Sequence, residues 1–201
     1  MTVAHERSTP PVAGAATPAP EATRLRLAGL DDAEAIAALS IQVFLDTYAT
    51  EGVRPDLAAE AFTEYAPAAF GPRLAEPERR FIVAERGPGL VAFAELITLA
   101  RDAPAGSVCG AELVRLYVQP GHQRSGLGRL LLTRAESVAA AAGRHHLWLT
   151  AWEDNRRALA FYAALGYADL GATTYTFQGR RYGNRVLARS LAAAPTPPVR
   201  A

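Results

Sequence analysis

Apolar residues recur at helical spacing in four stretches of the chain, and most of the remaining apolar positions fall in short strand-like runs. Ile36, Leu39, Val43 and Phe44 form one stripe and predict a helix over residues 33–47, with Asp31 and Asp32 placed to cap it. A second helical stretch is predicted over 56–70, after Pro55. Leu127, Leu130, Leu131, Ala135, Val138 and Ala142 repeat at the same period until Gly143 stops them. A fourth helix is predicted over 155–165, ended by Gly166. Strands are predicted over 24–27, 81–85, 90–99, 111–118, 146–152, 174–178 and 182–190, with turns at Gly87, Gly89 and Gly179. Residues 100–110 read as a loop. The order is β-α-α-β-β-β-α-β-α-β-β, a mixed α/β domain with one parallel crossover, from 111–118 through a helix to 146–152. No internal repeat is present.

Composition narrows the picture modestly. The chain has 201 residues, half of them hydrophobic, which suits one domain with an ordinary core. Residues 1–22 contain Pro10, Pro11, Pro18 and Pro20 and no apolar run of signal-peptide length, so they read as a disordered extension. Residues 192–201 read as a loose tail, which leaves 23–191 as the folded domain. A net charge of +1 gives no reason to expect nucleic acid as a partner, and no stretch has the length of a membrane span. The single cysteine, Cys109, excludes an internal disulfide, fits a reducing, cytoplasmic setting, and reads as a small core residue. His145 and His146 are adjacent, so they point apart on a strand, and no metal site is expected.

Candidate chemistry lies in residues 116–129, LYVQPGHQRSGLGR. A strand leads to a turn, and Gln123, Arg124, Ser125, Gly126, Leu127 and Gly128 open a helix. The first amides of a helix lack intrahelical partners and carry partial positive charge. Gly126 and Gly128 remove side chains there, and Arg124 and Arg129 add charge, so the segment suits a phosphate or pyrophosphate. The nucleotide-hydrolysing P-loop pattern is absent, and so is the dinucleotide Gly-x-Gly-x-x-Gly pattern, because position 131 is leucine. A plain glycine turn before an amphipathic helix remains the other reading of the segment.

These residues resemble the GNAT acetyltransferases, whose pyrophosphate loop reads Gln/Arg-x-x-Gly-x-Gly/Ala. The preceding strand, Leu116, Tyr117 and Val118, and the later run from Asn155 through Phe161 and Tyr162 to Gly166 and Tyr167 also resemble that family. The blocks cover about 112–167. The resemblance implies a GNAT-like acyl-CoA N-acyltransferase fold with a mostly antiparallel central sheet. It also implies direct transfer of acetyl from acetyl-CoA to a primary amine in one ternary complex. The phrase Phe44, Asp46, Thr47, Tyr48 and the runs 112–118 and 147–153 are similar to bacterial polyamine-type members, which implies a small amine or polyamine acceptor. A protein N-terminus or lysine is the alternative acceptor, and a CoA-binding module without turnover is the alternative of another class. Members of the family often form dimers.

The resemblance places the pyrophosphate on the amides of 124–129 and the acetyl contacts on the backbone of Leu116, Tyr117 and Val118. The Val118 amide is implied as an oxyanion donor. Asn155 and Tyr162 are seven residues apart, nearly two helical turns, so both share one face about 10 Å apart along the axis. Tyr162 is assigned as general acid to the departing thiolate, with a core aromatic beside Phe161 as the other reading. Asn155 can be both a helix cap and a cofactor contact. The acid that many relatives carry on the strand before Asn155 corresponds here to Thr150. Glu112 is therefore the first candidate for the base and Glu153 the second, and either also reads as a solvated strand-end charge. Asp46 and Tyr48 are expected to border the acceptor site.

Overall fold

The computed structural model describes residues 22–104, 106, 108–177 and 180–192. The N-terminal extension, nearly all of the C-terminal tail and the turn at Gly179 lie outside the described residues. The elements follow the predicted order with one more helix before β2: β1 (Arg24–Leu27), α1 (Ala33–Tyr48), α2 (Pro55–Thr63), α3 (Pro67–Ala75), β2 (Arg79–Arg86), β3 (Gly89–Asp102), β4 (Cys109–Val118), α4 (Leu127–Ala141), β5 (His146–Trp152), α5 (Arg156–Ala164), β6 (Ala168–Phe177) and β7 (Arg180–Ser190). The strands form one seven-stranded sheet in the order β1-β2-β3-β4-β5-β7-β6. Every pairing is antiparallel except β4 with β5, which the α4 crossover makes parallel.

Both faces of the sheet centre are covered. Ile82, Ala94, Leu96 and Leu147 pack against Leu131, Leu132 and Ala135 of α4. Phe81, Val83 and Phe93 point the other way, into Ile36, Val43 and Phe44 of α1 and Phe70 of α3. Because β2 is buried on both sides, it reads as a continuous apolar run rather than an alternation. Each fully buried leucine such as Leu131 contributes about 1.5–3 kcal/mol.

Four details differ from the sequence reading. The helix expected over 56–70 is two helices, because Pro67 disfavours helical backbone at Ala66, which is extended (φ −64°, ψ 145°). The strands run into both ends of the loop expected over 100–110: Arg101 pairs with Gly110 and Asp102 with Cys109, and the Trp148 indole donates to the Arg101 carbonyl at 3.1 Å. Cys109 is exposed at the start of β4 and is no core residue. Asp32 flanks α1 as expected, but its carboxylate accepts from Gly29 N–H (2.8 Å) and from Arg26 (2.7 Å) instead of capping the helix.

Gly110 stands where β4 meets β5. A Cβ there would collide with the backbone carbonyl of His146. Gly110→Ala is therefore expected to push the two strands apart and to cost about 1–3 kcal/mol. At about 2–4 °C per kcal/mol for a domain of this size, thermal unfolding should show a fall of roughly 3–10 °C. An unchanged Tm would mean that the strands have room to spread.

Candidate active site

Parallel pairing of β4 with β5 covers only Ala111 with Leu147 and Glu112 with Trp148. Beyond that point the strands diverge and leave a cleft of about 400 Å³. Val114 to Tyr117 line one side and Leu149 to Trp152 the other, with Asn155, Ala158 and Tyr162 of the α5 region beside them. The register slips between Glu95 and Leu96 of β3, so that Glu95 faces Arg115 while Leu96 faces Leu113. Val114 is the extra residue, and a bulge of this kind bends the strand that carries it. The Gln119 N–H bonds to Val91 of β3 at 2.9 Å. Strand alternation then turns the amides of Val118 and Leu116 away from β3, toward the gap.

At the mouth of the gap the chain turns through two left-handed residues, Arg124 (φ 61°) and Gly126 (φ 86°). Successive amides in such a turn form a concavity suited to anions. The first intrahelical bond of α4 runs from Leu130 N–H to the Gly126 carbonyl (3.0 Å), which leaves the amides of Leu127, Gly128 and Arg129 without helical acceptors. Arg124, Ser125 and Arg129 are exposed, whereas the Leu127 side chain is core. Gln123 pins the turn from within: its side-chain amide donates to the Val118 carbonyl (3.1 Å) and accepts from Arg157. The Ser125 hydroxyl donates to the His122 carbonyl at 2.6 Å. The two glycines serve different ends. Gly126 supplies the positive φ, while a Cβ at Gly128 would approach the Phe161 ring to 3.3 Å, so Gly128 lets α4 and α5 pack closely.

Asn155 and Tyr162 line the same cleft, as their spacing predicts. Asn155 also accepts from Ala158 N–H at 3.0 Å and caps α5. Tyr162 packs edge-on against Phe161 and Tyr167, with centroids 5.1 and 5.5 Å away. Its hydroxyl has no hydrogen-bond partner among the described residues, and burial pushes its phenol above the ordinary value. Tyr162 is thus both core aromatic and cleft wall, and it stays protonated near neutrality.

The carboxylates are arranged otherwise than expected. Glu112 does not line the cleft; it stands at the closed end, one residue before Leu113, with Arg101 3.8 Å away. Burial raises its carboxyl above the usual range. Glu153 lies over Gly183, outside the cleft. Asp46 is exposed on α1, while Tyr48 does line the cleft. The acids that reach it are Glu60 and Glu64 of the α2 region, which the sequence reading missed. They are four residues apart, one turn along a helix, but nothing local indicates that this face turns toward β4.

Beneath them is a buried ion network. Glu95, fully buried, pairs with Arg79 and Arg115; Arg115 continues to Glu64 at 2.7 Å, and Arg73 reaches Glu64 at 2.7 Å. Aromatic rings complete the wall: Trp152, Tyr48, Phe44, Tyr65 and Tyr117 follow one another with centroids 5.0–6.5 Å apart. No helix among the described residues is long and apolar enough to cross a membrane, and no group of acids, histidines and cysteine among them could hold a metal ion.

Known proteins resemble this chain in sequence and in fold. An uncharacterised N-acetyltransferase of Mycobacterium tuberculosis (strain ATCC 25618 / H37Rv) is 27% identical over 163 residues, 81% of this chain and 99% of its own. A streptothricin acetyltransferase of Streptomyces lavendulae is 37% identical over 64 residues, 32% of this chain and 34% of its own. The PaiA N-acetyltransferase of Thermoplasma acidophilum, solved with coenzyme A, superimposes with a TM-score of 0.67 at 19% identity, over 84% of this chain and 99% of that one. The YncA acetyltransferase structure from Salmonella typhimurium, with acetyl-CoA, gives 0.58 at 22% identity, over 88% and 98%. The model of the acetyltransferase (GNAT) family matches residues 41–167, which span the α1–α3 wall, the diverging strands, the glycine turn and α5. The chain belongs to the acetyltransferase (GNAT) family and is an acetyl-CoA-dependent N-acetyltransferase.

Proposed function

We propose that this enzyme transfers acetyl from acetyl-CoA to a primary amine of a small cationic molecule, polyamines included, by direct attack in a ternary complex. The observation that carries the reading is the cleft wall opposite α5, where a run of aromatic rings and two carboxylates face the diverging strands. Ring faces and carboxylates both attract an ammonium group. The amides of residues 124–129 would hold the pyrophosphate, and Leu116, Tyr117, Val118 and Asn155 the arm that carries the thioester. The amine nitrogen bonds to the thioester carbonyl carbon and the carbon–sulfur bond breaks. The Val118 amide donates to the carbonyl oxygen as charge develops on it. Tyr162 gives its proton to the departing sulfur and is reprotonated through solvent, which takes up the second proton that the nitrogen loses as the amide forms.

An alkyl ammonium has a pKa of about 10.4, so the acceptor must shed a proton before attack. We assign this to Glu112 acting through water, since its raised carboxyl is the stronger base for being buried and it stands at the foot of the gap. The test is thiol release from acetyl-CoA with a panel of spermidine, cadaverine, pentylamine and short peptides. Turnover with the free amines is expected. Turnover confined to peptide N-termini or lysines would replace the small-amine reading with protein acetylation.

A further inference from the structure

The cleft passes through the gap between β4 and β5, so its two ends lie on opposite faces of the sheet. Tyr162 belongs to the core on the α4 side. Phe44, Tyr48, Leu57 and Tyr65 belong to the α1–α3 side, where Glu60 and Glu64 also line the cleft. Resting on the small-amine reading, we infer that Glu60 binds a second cationic group of the acceptor while the reacting nitrogen sits near Tyr162, so that the enzyme prefers diamines and polyamines to monoamines.

Charge pairing singles out Glu60. Four charged residues line the cleft: Arg54, Glu60, Glu64 and Arg115. Arg54 is tied to Asp56 at 3.0 Å. Glu64 is compensated by both Arg73 and Arg115 at 2.7 Å, and Arg115 also pairs with Glu95. Glu60 alone has no ion pair among the described residues. Tyr175 of β6 lines the cleft too and stands near enough to feel the Glu60 charge. Desolvation and the neighbouring Glu64 raise the Glu60 carboxyl, and Arg115 and Arg73 only partly offset this. Such a carboxylate gains from an arriving cation. An acceptor with one ammonium and an alkyl tail would leave it unpaired.

The experiment compares cadaverine with pentylamine, which share a carbon chain and differ by one ammonium. Wild-type enzyme is expected to show a KM for cadaverine lower by about tenfold, the order of one charge-assisted contact. In Glu60→Gln the cadaverine KM should rise about tenfold and the pentylamine KM by much less, so that the preference for cadaverine is lost. Glu60→Asp, which keeps the charge, should retain a preference for cadaverine. Equal KM values for the two amines in wild type would overturn the inference and leave the small-amine reading intact. An equal loss of kcat with both amines in Glu60→Gln would make Glu60 the base and overturn it as well. Turnover of peptides alone would remove both readings together.

Discussion

Tyr162→Phe should lower kcat by about 10²–10⁴-fold, the range that a positioned general acid supplies. That corresponds to about 2.7–5.5 kcal/mol of transition-state stabilisation. The acetyl-CoA KM should stay within a few-fold of wild type, because the hydroxyl meets the sulfur only as the carbon–sulfur bond breaks. Stability should not move, since the hydroxyl makes no hydrogen bond among the described residues and phenylalanine keeps both edge-on ring contacts, with Phe161 and Tyr167. Burial raises the phenol, which holds the proton near neutrality but makes it a weaker donor, so the transfer depends on placing the oxygen at the sulfur. Steady-state kinetics and a thermal melt check both halves. An unchanged kcat would leave Tyr162 as a packing residue and move the protonation of the leaving group to solvent.

The features legible in the sequence are those that are local in the chain. The turn at residues 123–129 is recognisable because its glycines, its arginine and the helix behind them are consecutive. The pair Asn155 and Tyr162 shares a helix face by period alone, and both residues do line the cleft. Even there, the reason for Gly128 was hidden, since its neighbour Phe161 is thirty-three positions away and arrives through packing. The wall that carries Glu60 and Glu64 was illegible for the same reason. Glu60 and Glu64 read as an exposed helix face, and only the fold brings α2 against Arg115 of β4. How Glu112 meets the cleft depends on a subtler effect. Its position in β4 was read correctly, but β4 and β5 are still paired at that residue and part only after it, so the cleft begins at Leu113.

Glu95→Ala should destabilise the fold by about 3–5 kcal/mol, the cost of removing one member of a buried ion pair and leaving its partner uncompensated. Nothing in the alternation of β3 announces an acid at this place: Glu95 lies among Phe93, Ala94, Leu96 and Ile97 and is fully buried. It is retained by Arg79 and Arg115, which reach it from β2 and β4 on either side. Burial alone would lower the Arg115 pKa, but the Glu95 carboxylate holds it well above the ordinary value, so the guanidinium stays charged in place. Without Glu95, Arg115 keeps only Glu64, at the cleft wall, and its packing over the Tyr65 ring at 5.3 Å. At about 2–4 °C per kcal/mol, the melt should fall by roughly 6–20 °C. The damage should also be directional: Arg115, Glu64 and Tyr65 line the acceptor wall, whereas the turn at Gly126 lies outside the network, so the amine KM should rise more than the acetyl-CoA KM. Glu95→Gln keeps the shape and loses the charge, and should fall between wild type and alanine. A melt of Glu95→Ala within 2 °C of wild type, well under the roughly 6 °C minimum above, would mean that the arginines find water or other partners and that the network does not hold the wall in place.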